Sequence, residues 1–261
     1  MLLRLLVLSA LSVGAGAAPP DTGAPTTVRY RVDQTLSQEV DPSAMGGTRQ
    51  TLTFTTSSFV TVTIADSAGG RSVHVVMDSV KGDSATPIPK PVLDSAKGSA
   101  FHGFLDGQGK LDGLEPVSES GAGARVQGLL ADFFPWVRAG LKAGQRWSDT
   151  TARKTGQGTD SVTVRRVTRY ATAPGRHPKA RQAVQVTSDF TSSVGGTQTT
   201  PSGPAKIEGT GTGSGTYYVT PDGRYLGGDW RQRSELKVTG SFAPKPLPIT
   251  VAQTIKVTVL T

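Results

Sequence analysis

Few side chains in this sequence are suited to chemistry. The three histidines, His74, His102 and His177, are the groups best able to move a proton or hold a metal near neutral pH. His74 lies in a Val-rich alternating stretch, out of phase with Val73 and Val75. His102 precedes Gly103 in a hairpin, and His177 belongs to the loop Pro174-Gly175-Arg176-His177-Pro178. None is spaced with a second ligand as a metal site requires. There is no Gly-x-Ser-x-Gly elbow, His-Glu-x-x-His pair, phosphate-binding loop or calcium loop. A Ser/His/Asp triad gathered from distant positions is recognised by geometry alone, and it leaves a hydrolase as the weakest of three readings. The acidic pairs Asp106/Asp112 and Asp222/Asp229 read as turn residues. The chain has no cysteine, which excludes disulfides, thiolate metal sites, iron–sulfur clusters and a thiol nucleophile. No cofactor is expected.

Two further groups suggest binding. Gly209-Thr210-Gly211-Thr212-Gly213-Ser214-Gly215 looks like a phosphate cradle, but that needs a helix after it, and here Thr216-Tyr217-Tyr218-Val219 continues an extended pattern. At strand periodicity the four glycines share one face, leaving room for another element to approach. A helix near 123–134, or the ring of Trp136 or Trp147, is the expected filler. The aromatic residues Phe133, Phe134, Trp136, Trp147, Tyr217, Tyr218, Tyr225 and Trp230 either form the core or line an apolar pocket. Leu130, Phe134, Trp136 and Trp147 are the candidate ligand contacts.

These residues must be positioned by strands. The 33 Thr and 23 Ser, with 32 Gly, 17 Pro and no Asn among 261 residues, suit pleated surfaces and turns. Alternation runs through Val28, Tyr30 and Val32; through Leu52 and Phe54; and, after an expected phase change near Ser57-Ser58, through Val60, Val62 and Ile64. Ala68-Gly69-Gly70 turns into Val73, Val75 and Met77. Pro87, Pro89 and Pro91 interrupt the ladder, and Phe101–Leu105 and Lys110–Leu114 flank an Asp106-Gly107 turn. Val126, Leu129, Leu130, Phe133, Phe134 and Val137 recur at helical spacing, so one amphipathic helix is expected over 123–134, ended by Pro135. Alternation resumes from Arg146 to Leu260, with loop-like inserts at 171–180, 195–205 and 241–248. Short links between successive strands favour an antiparallel meander.

The N-terminus predicts export. Met1–Arg4, an apolar run from Leu5 to Val13 and small residues Ala15–Ala18 form a signal peptide over 1–18, and the apolar run is too short to span a bilayer. Residues 19–26 read as a flexible lead, and 27–261 as a single β-rich domain. Two similar halves, 27–115 and 146–261, are suggested by the echo between Phe104–Gly113 and Val219–Gly228. Without cysteine the mature chain is not a lipoprotein. It is expected to be soluble, in the periplasm or outside the cell, with no transmembrane span. Loss of Arg4 leaves 27 basic against 20 acidic residues, a balance that favours anionic envelope surfaces. Arg165, Arg169, Arg176, Lys179 and Arg181 are the candidate contacts, with Arg166 pointing to the opposite strand face from Arg165 and Arg169. No aromatic residues interleave with them, so nucleic acid is not the expected partner.

Several short motifs resemble an uncharacterised family of exported bacterial β-proteins, a domain of unknown function. They are the opening strands, the hairpin Gly109-Lys110-Leu111-Asp112-Gly113-Leu114-Glu115, Phe133-Phe134-Pro135, Gly140-Leu141-Lys142-Ala143-Gly144-Gln145-Arg146-Trp147, and Gly213-Ser214-Gly215-Thr216-Tyr217-Tyr218-Val219. The resemblance implies export and a β-sheet fold and transfers no catalytic residue. The order of strands, helical plug and more strands is more distantly similar to the open-barrel carriers of lipids and lipoproteins in the bacterial envelope. The expectation is therefore a mainly β protein, a curved antiparallel sheet or half-open barrel of about ten strands, with one amphipathic helix on the concave face. Its expected role is non-enzymatic: it holds an apolar or lipid-like ligand between sheet and helix, or acts as a structural or interaction module through sheet edges or a basic face.

Overall fold

The computed structural model describes residues 25–117, 130, 133–135, 137–157, 160–200, 203–241 and 243–260. Alternating apolar and hydroxyl residues give eleven strands: β1 (Thr26–Val40), β2 (Gln50–Ser67), β3 (Gly70–Gly82), β4 (Ala100–Asp106), β5 (Glu115–Pro116), β6 (Arg146–Gln157), β7 (Asp160–His177), β8 (Ala180–Thr200), β9 (Gly203–Val219), β10 (Tyr225–Gly240) and β11 (Ala243–Val259). All pair antiparallel in one open sheet of order β5-β4-β3-β2-β1-β11-β10-β9-β8-β7-β6. The chain thus makes one meander from β1 outward to β5. It then crosses to the opposite edge and meanders back from β6 to β11, which closes against β1.

In β1, Val28, Tyr30 and Val32 are buried while Thr27, Arg29 and Arg31 are exposed. The buried set is stacked across the sheet by register, Val32 opposite Ser58 on one side and Val257 on the other. Each such apolar side chain contributes about 1.5–3 kcal/mol on leaving water. One inner face therefore runs across all the long strands. Its larger core draws Tyr30, Val60, Val75, Phe101, Tyr217 and Tyr225 together with Leu130, Phe133, Phe134, Val137 and Leu141 of the connection between the meanders. A smaller core at the other end of the strands joins Val162, Ala205, Ile207, Val238, Leu247 and Ile249.

Three sequence expectations change. The phase change near Ser57-Ser58 is absent: Thr56 and Ser58 continue the buried phase of Phe54 and Val60, and the irregularity is a register shift between β2 and β3 beside Phe59 and Val60. The inserts at 171–180, 195–205 and 241–248 are largely the far ends of paired strands, because Gly195 and Gly196 lack side chains yet keep both backbone hydrogen-bonding groups. Most of the helix expected over 123–134 lies outside the described residues, and its end at Phe133 and Phe134 is a bend. The one α-helix among the described residues is the six-residue α1 (Lys90–Ser95), which holds Pro91 in its first turn, where a missing N–H costs nothing.

Residues 137–145 strap the sheet at the larger core. The Val137 amide donates to the Gly109 carbonyl at 2.9 Å, Gly140 to Pro221 at 2.9 Å, and Gly144 to Thr172 at 2.9 Å. Gly109 is required here twice over: its φ is 78°, and a Cβ would collide with the Val137 carbonyl. The strap ends at β6, whose Asp149 meets Lys110 of the β4–β5 turn at 2.8 Å. The β4–β5 turn and β6, near opposite ends of the strand order, are thus linked by a side-chain ion pair.

Candidate functional site

Four of the inner face's rings form a tyrosine-rich stack. Tyr30 stacks on Tyr225 at 5.4 Å, Phe134 meets Tyr225 edge-on at 5.3 Å, and Tyr217 lies 6.3 Å from Tyr225. The Tyr30 hydroxyl donates to the Tyr225 carbonyl at 2.9 Å, whereas the Tyr225 hydroxyl is buried with no hydrogen-bond partner among the described residues. Burial pushes the phenols of Tyr30, Tyr217 and Tyr225 above their ordinary range, so all three are neutral at neutral pH. Of the four candidate ligand contacts, Leu130 and Phe134 are buried in this core. Trp147 is half-buried against it and stacks on Tyr170 at 5.0 Å, and Trp136 lies outside the described residues.

The glycine stripe does lie on the inner face, but its fillers differ from those expected. A Cβ at Gly213 would strike the ring of Phe190 in β8, and one at Gly215 the ring of Trp230 in β10. Neighbouring strands supply the aromatics directly, so among the described residues no helix and no Trp147 ring is needed there. Sequence reading missed Phe190, whose only signal is its phase in β8.

Beyond the aromatic core the inner face turns mixed. Arg166 of β7 faces inward, its guanidinium 4.2 Å from the Phe190 ring centre and 3.2 Å from the Gln232 amide oxygen. Gln232 in turn donates to Gln253. With Trp230 and Ile255 they enclose a cavity of about 20 Å³, room for a single water. Further along the inner face Leu36 and Leu52 are half-buried, as are Val194, Leu236 and Val251, which pack against the smaller core.

The basic candidates separate. Arg165 and Arg169 are exposed on the outer face, and Arg169 stands opposite Asp189. Lys179 and Arg181 flank the β7–β8 turn with Arg176, about 23 Å along β7 from Arg169 at strand rise. There the Lys179 ammonium donates to the Leu260 carbonyl at 3.1 Å. The five do not form one patch.

The histidines gain one relation that spacing did not reveal. His74 and His102 are register partners on the outer face, and His102 faces Glu115 at 3.9 Å. No group of three or more His, Asp or Glu among the described residues is placed to hold a metal ion. His177 accepts a hydrogen bond from the Lys179 amide at 3.2 Å, and burial, then the Lys179 charge, lowers its pKa.

No protein-family profile matches this sequence, and neither does any curated protein. Among solved structures, one described as "Asymmetric conductivity of engineered proteins" aligns over 89% of this chain and 100% of its own at 7% identity and a TM-score of 0.27. A mutant porin of Rh. blastica aligns over 89% and 100% at 9% identity and a TM-score of 0.24. Likeness at this level carries no argument. Among the described residues no helix is long and apolar enough to cross a membrane.

Proposed function

We propose that this chain is an exported, soluble, non-enzymatic protein of the bacterial envelope that binds an apolar or lipid-like ligand on the inner face of a half-barrel sheet. The observation that carries this reading is the half-buried apolar stretch of Leu36, Leu52, Val194, Leu236 and Val251 on the inner face, bordering the smaller core. Contiguous apolar surface left partly open is retained where something covers it. The tightly packed surroundings of Leu130 and Phe134 favour this stretch over the larger core as the ligand surface. Export rests on the signal-like segment 1–18, and cleavage after Ala17 or Ala18 is expected. Native mass spectrometry of protein purified from its own envelope tests the reading. A co-purified lipid, released by organic solvent and absent from a Leu36→Asp/Leu236→Asp variant, supports it; a chain that carries no lipid and takes up no fatty acid removes it.

A second reading, an interaction module, is favoured by β6. This twelve-residue strand pairs with β7 alone among the described residues and leaves its other edge open to an added strand.

A further inference from the structure

The outer faces of β8, β9, β10, β11 and β1 form a shallow groove of about 510 Å³ running across the strands. Five adjacent strands at about 4.8 Å spacing give it a length of roughly 19 Å. Arg231 and Arg233 project from β10 at its centre, about 7 Å apart along the strand. Around them stand the hydroxyls of Ser37, Thr212, Ser214 and Thr254.

Arg231 lies between Ser214 and Thr254 in register and donates to the Ser214 hydroxyl at 3.2 Å; no carboxylate pairs with it among the described residues. Arg233 lies between Thr212 and Ala252, and its 3.6 Å contact with Glu235 is between two largely exposed side chains, a pairing of little strength. Asp189, the acid in the lining, stands opposite Arg169. The rows on either side carry the acids: Asp33, ion-paired with Arg31, and Asp229 enclose Lys256 on one, and Glu39, ion-paired with Arg49, and Glu235 enclose Thr250 on the other.

A narrow basic band bounded by acids selects for shape as well as charge. A bilayer laid on this face would meet the acidic rows together with the arginines, whereas a thin linear polyanion can follow the band. The hydroxyl lining both donates and accepts, as sugar hydroxyls do, and offers no aromatic ring on which a nucleobase would stack. We propose that the groove binds an acidic polysaccharide, with its carboxylates on Arg231 and Arg233 and its hydroxyls on the surrounding Ser and Thr. This site is on the opposite face from the apolar stretch and stands independently of it.

Calorimetric titration of the mature chain at low salt with polygalacturonate, neutral dextran and phosphatidylglycerol vesicles tests the proposal. Polygalacturonate is expected to bind and dextran not to. Arg231→Ala/Arg233→Ala is expected to weaken binding roughly tenfold or more, since two charge-assisted contacts are lost, without a change in melting temperature. Arg165→Ala/Arg176→Ala removes the same net charge and is expected to change affinity by less than about twofold, through long-range screening alone. The proposal is overturned if polygalacturonate does not bind, if the two double variants weaken it equally, or if vesicles bind as tightly through Arg231 and Arg233.

Discussion

Gln34 shows how much a single inner-face position constrains this sheet. It is buried between Thr56 and Ile255, and its amide oxygen has no hydrogen-bond partner among the described residues. A buried acceptor left unmet costs about 1–3 kcal/mol, so Gln34→Leu, which keeps the volume, is expected to raise unfolding free energy by about 1 kcal/mol in urea titration. A loss of stability would mean that the amide is satisfied by a group outside the described residues. Gly215 makes the opposite case. A Val there drives its side chain into the Trp230 ring, and overpacking of this kind costs about 1–3 kcal/mol; an unchanged denaturation midpoint would show that the ring moves freely aside. The shared face of the four glycines and the opposed directions of Arg165 and Arg166 were legible from periodicity. Which face turned inward was not, because Thr56, Ser58, Gln34 and Gln232 place polar groups on the same face as Val60 and Tyr30. For the same reason Phe190 and Arg166 escaped notice as a stacked pair: their meeting depends on the β7–β8 register, which no local pattern encodes.

At the scale of elements, turns and seams are held by single carboxylates. Asp41 accepts from the Ser43 amide at 3.0 Å and from the Arg49 guanidinium at 2.7 Å, fixing the 3-10 turn Ser43–Met45 between β1 and β2. Hydrogen bonds from Ser43 and Arg49 lower its pKa to about 2. A depressed carboxylate pKa gives stability that is present above the unfolded value, near 4, and is lost as pH falls through about 2. Carbon-detected NMR titration should therefore place the Asp41 midpoint near 2; a midpoint at the ordinary carboxylate value would break this account of the turn. The Lys110–Asp149 pair at the seam is partly exposed, so Asp149→Asn is expected to cost no more than about 1 kcal/mol. Its clearer effect should be faster amide exchange along β6 than along β7, because β6 has one strand neighbour and loses its link to the other edge. Equal protection of the two strands after the substitution would show that the ion pair does not hold the seam. The turn at Asp106 was readable from its Asp-Gly pair, and the Gln108 and Lys110 amides do donate to Asp106 at 2.8 and 2.9 Å, but the strand expected over Lys110–Leu114 is reduced to a single bridge, Leu105 to Leu111, and β4 pairs with Glu115–Pro116. The seam was not readable, since its partners are 39 residues apart and belong to different meanders.

For the whole molecule, the decisive pairing is β1 with β11, which joins chain segments more than 200 residues apart. The larger core is shared between the two meanders. Tyr30 of the first stacks on Tyr225 of the second and bonds its carbonyl, while Phe133 and Phe134 of the connection pack on both. Cutting between the meanders would expose Ile255 and Val257 along β11 and leave Tyr225 without Tyr30 as a neighbour. Each large ring returned to water forfeits several kcal/mol, of the order of a domain's whole stability. Residues 146–261 expressed alone are therefore expected to lack a cooperative thermal transition, and co-expression with residues 19–145 is expected to restore one. A sharp melt from the isolated 146–261 fragment would show instead that the halves are autonomous. Pairing at such sequence separation must also be reached before its contacts reward it, so the intact chain is expected to refold on the millisecond-to-second scale or slower. Circular permutation that joins the start of β1 near Thr26 to the end of β11 near Leu260, with new termini within 118–129, would make β1–β11 a local pairing. Refolding of that permutant faster than the parent, at similar stability, is the outcome expected if closure of β11 on β1 limits folding; an unchanged rate would place the slow step within a meander.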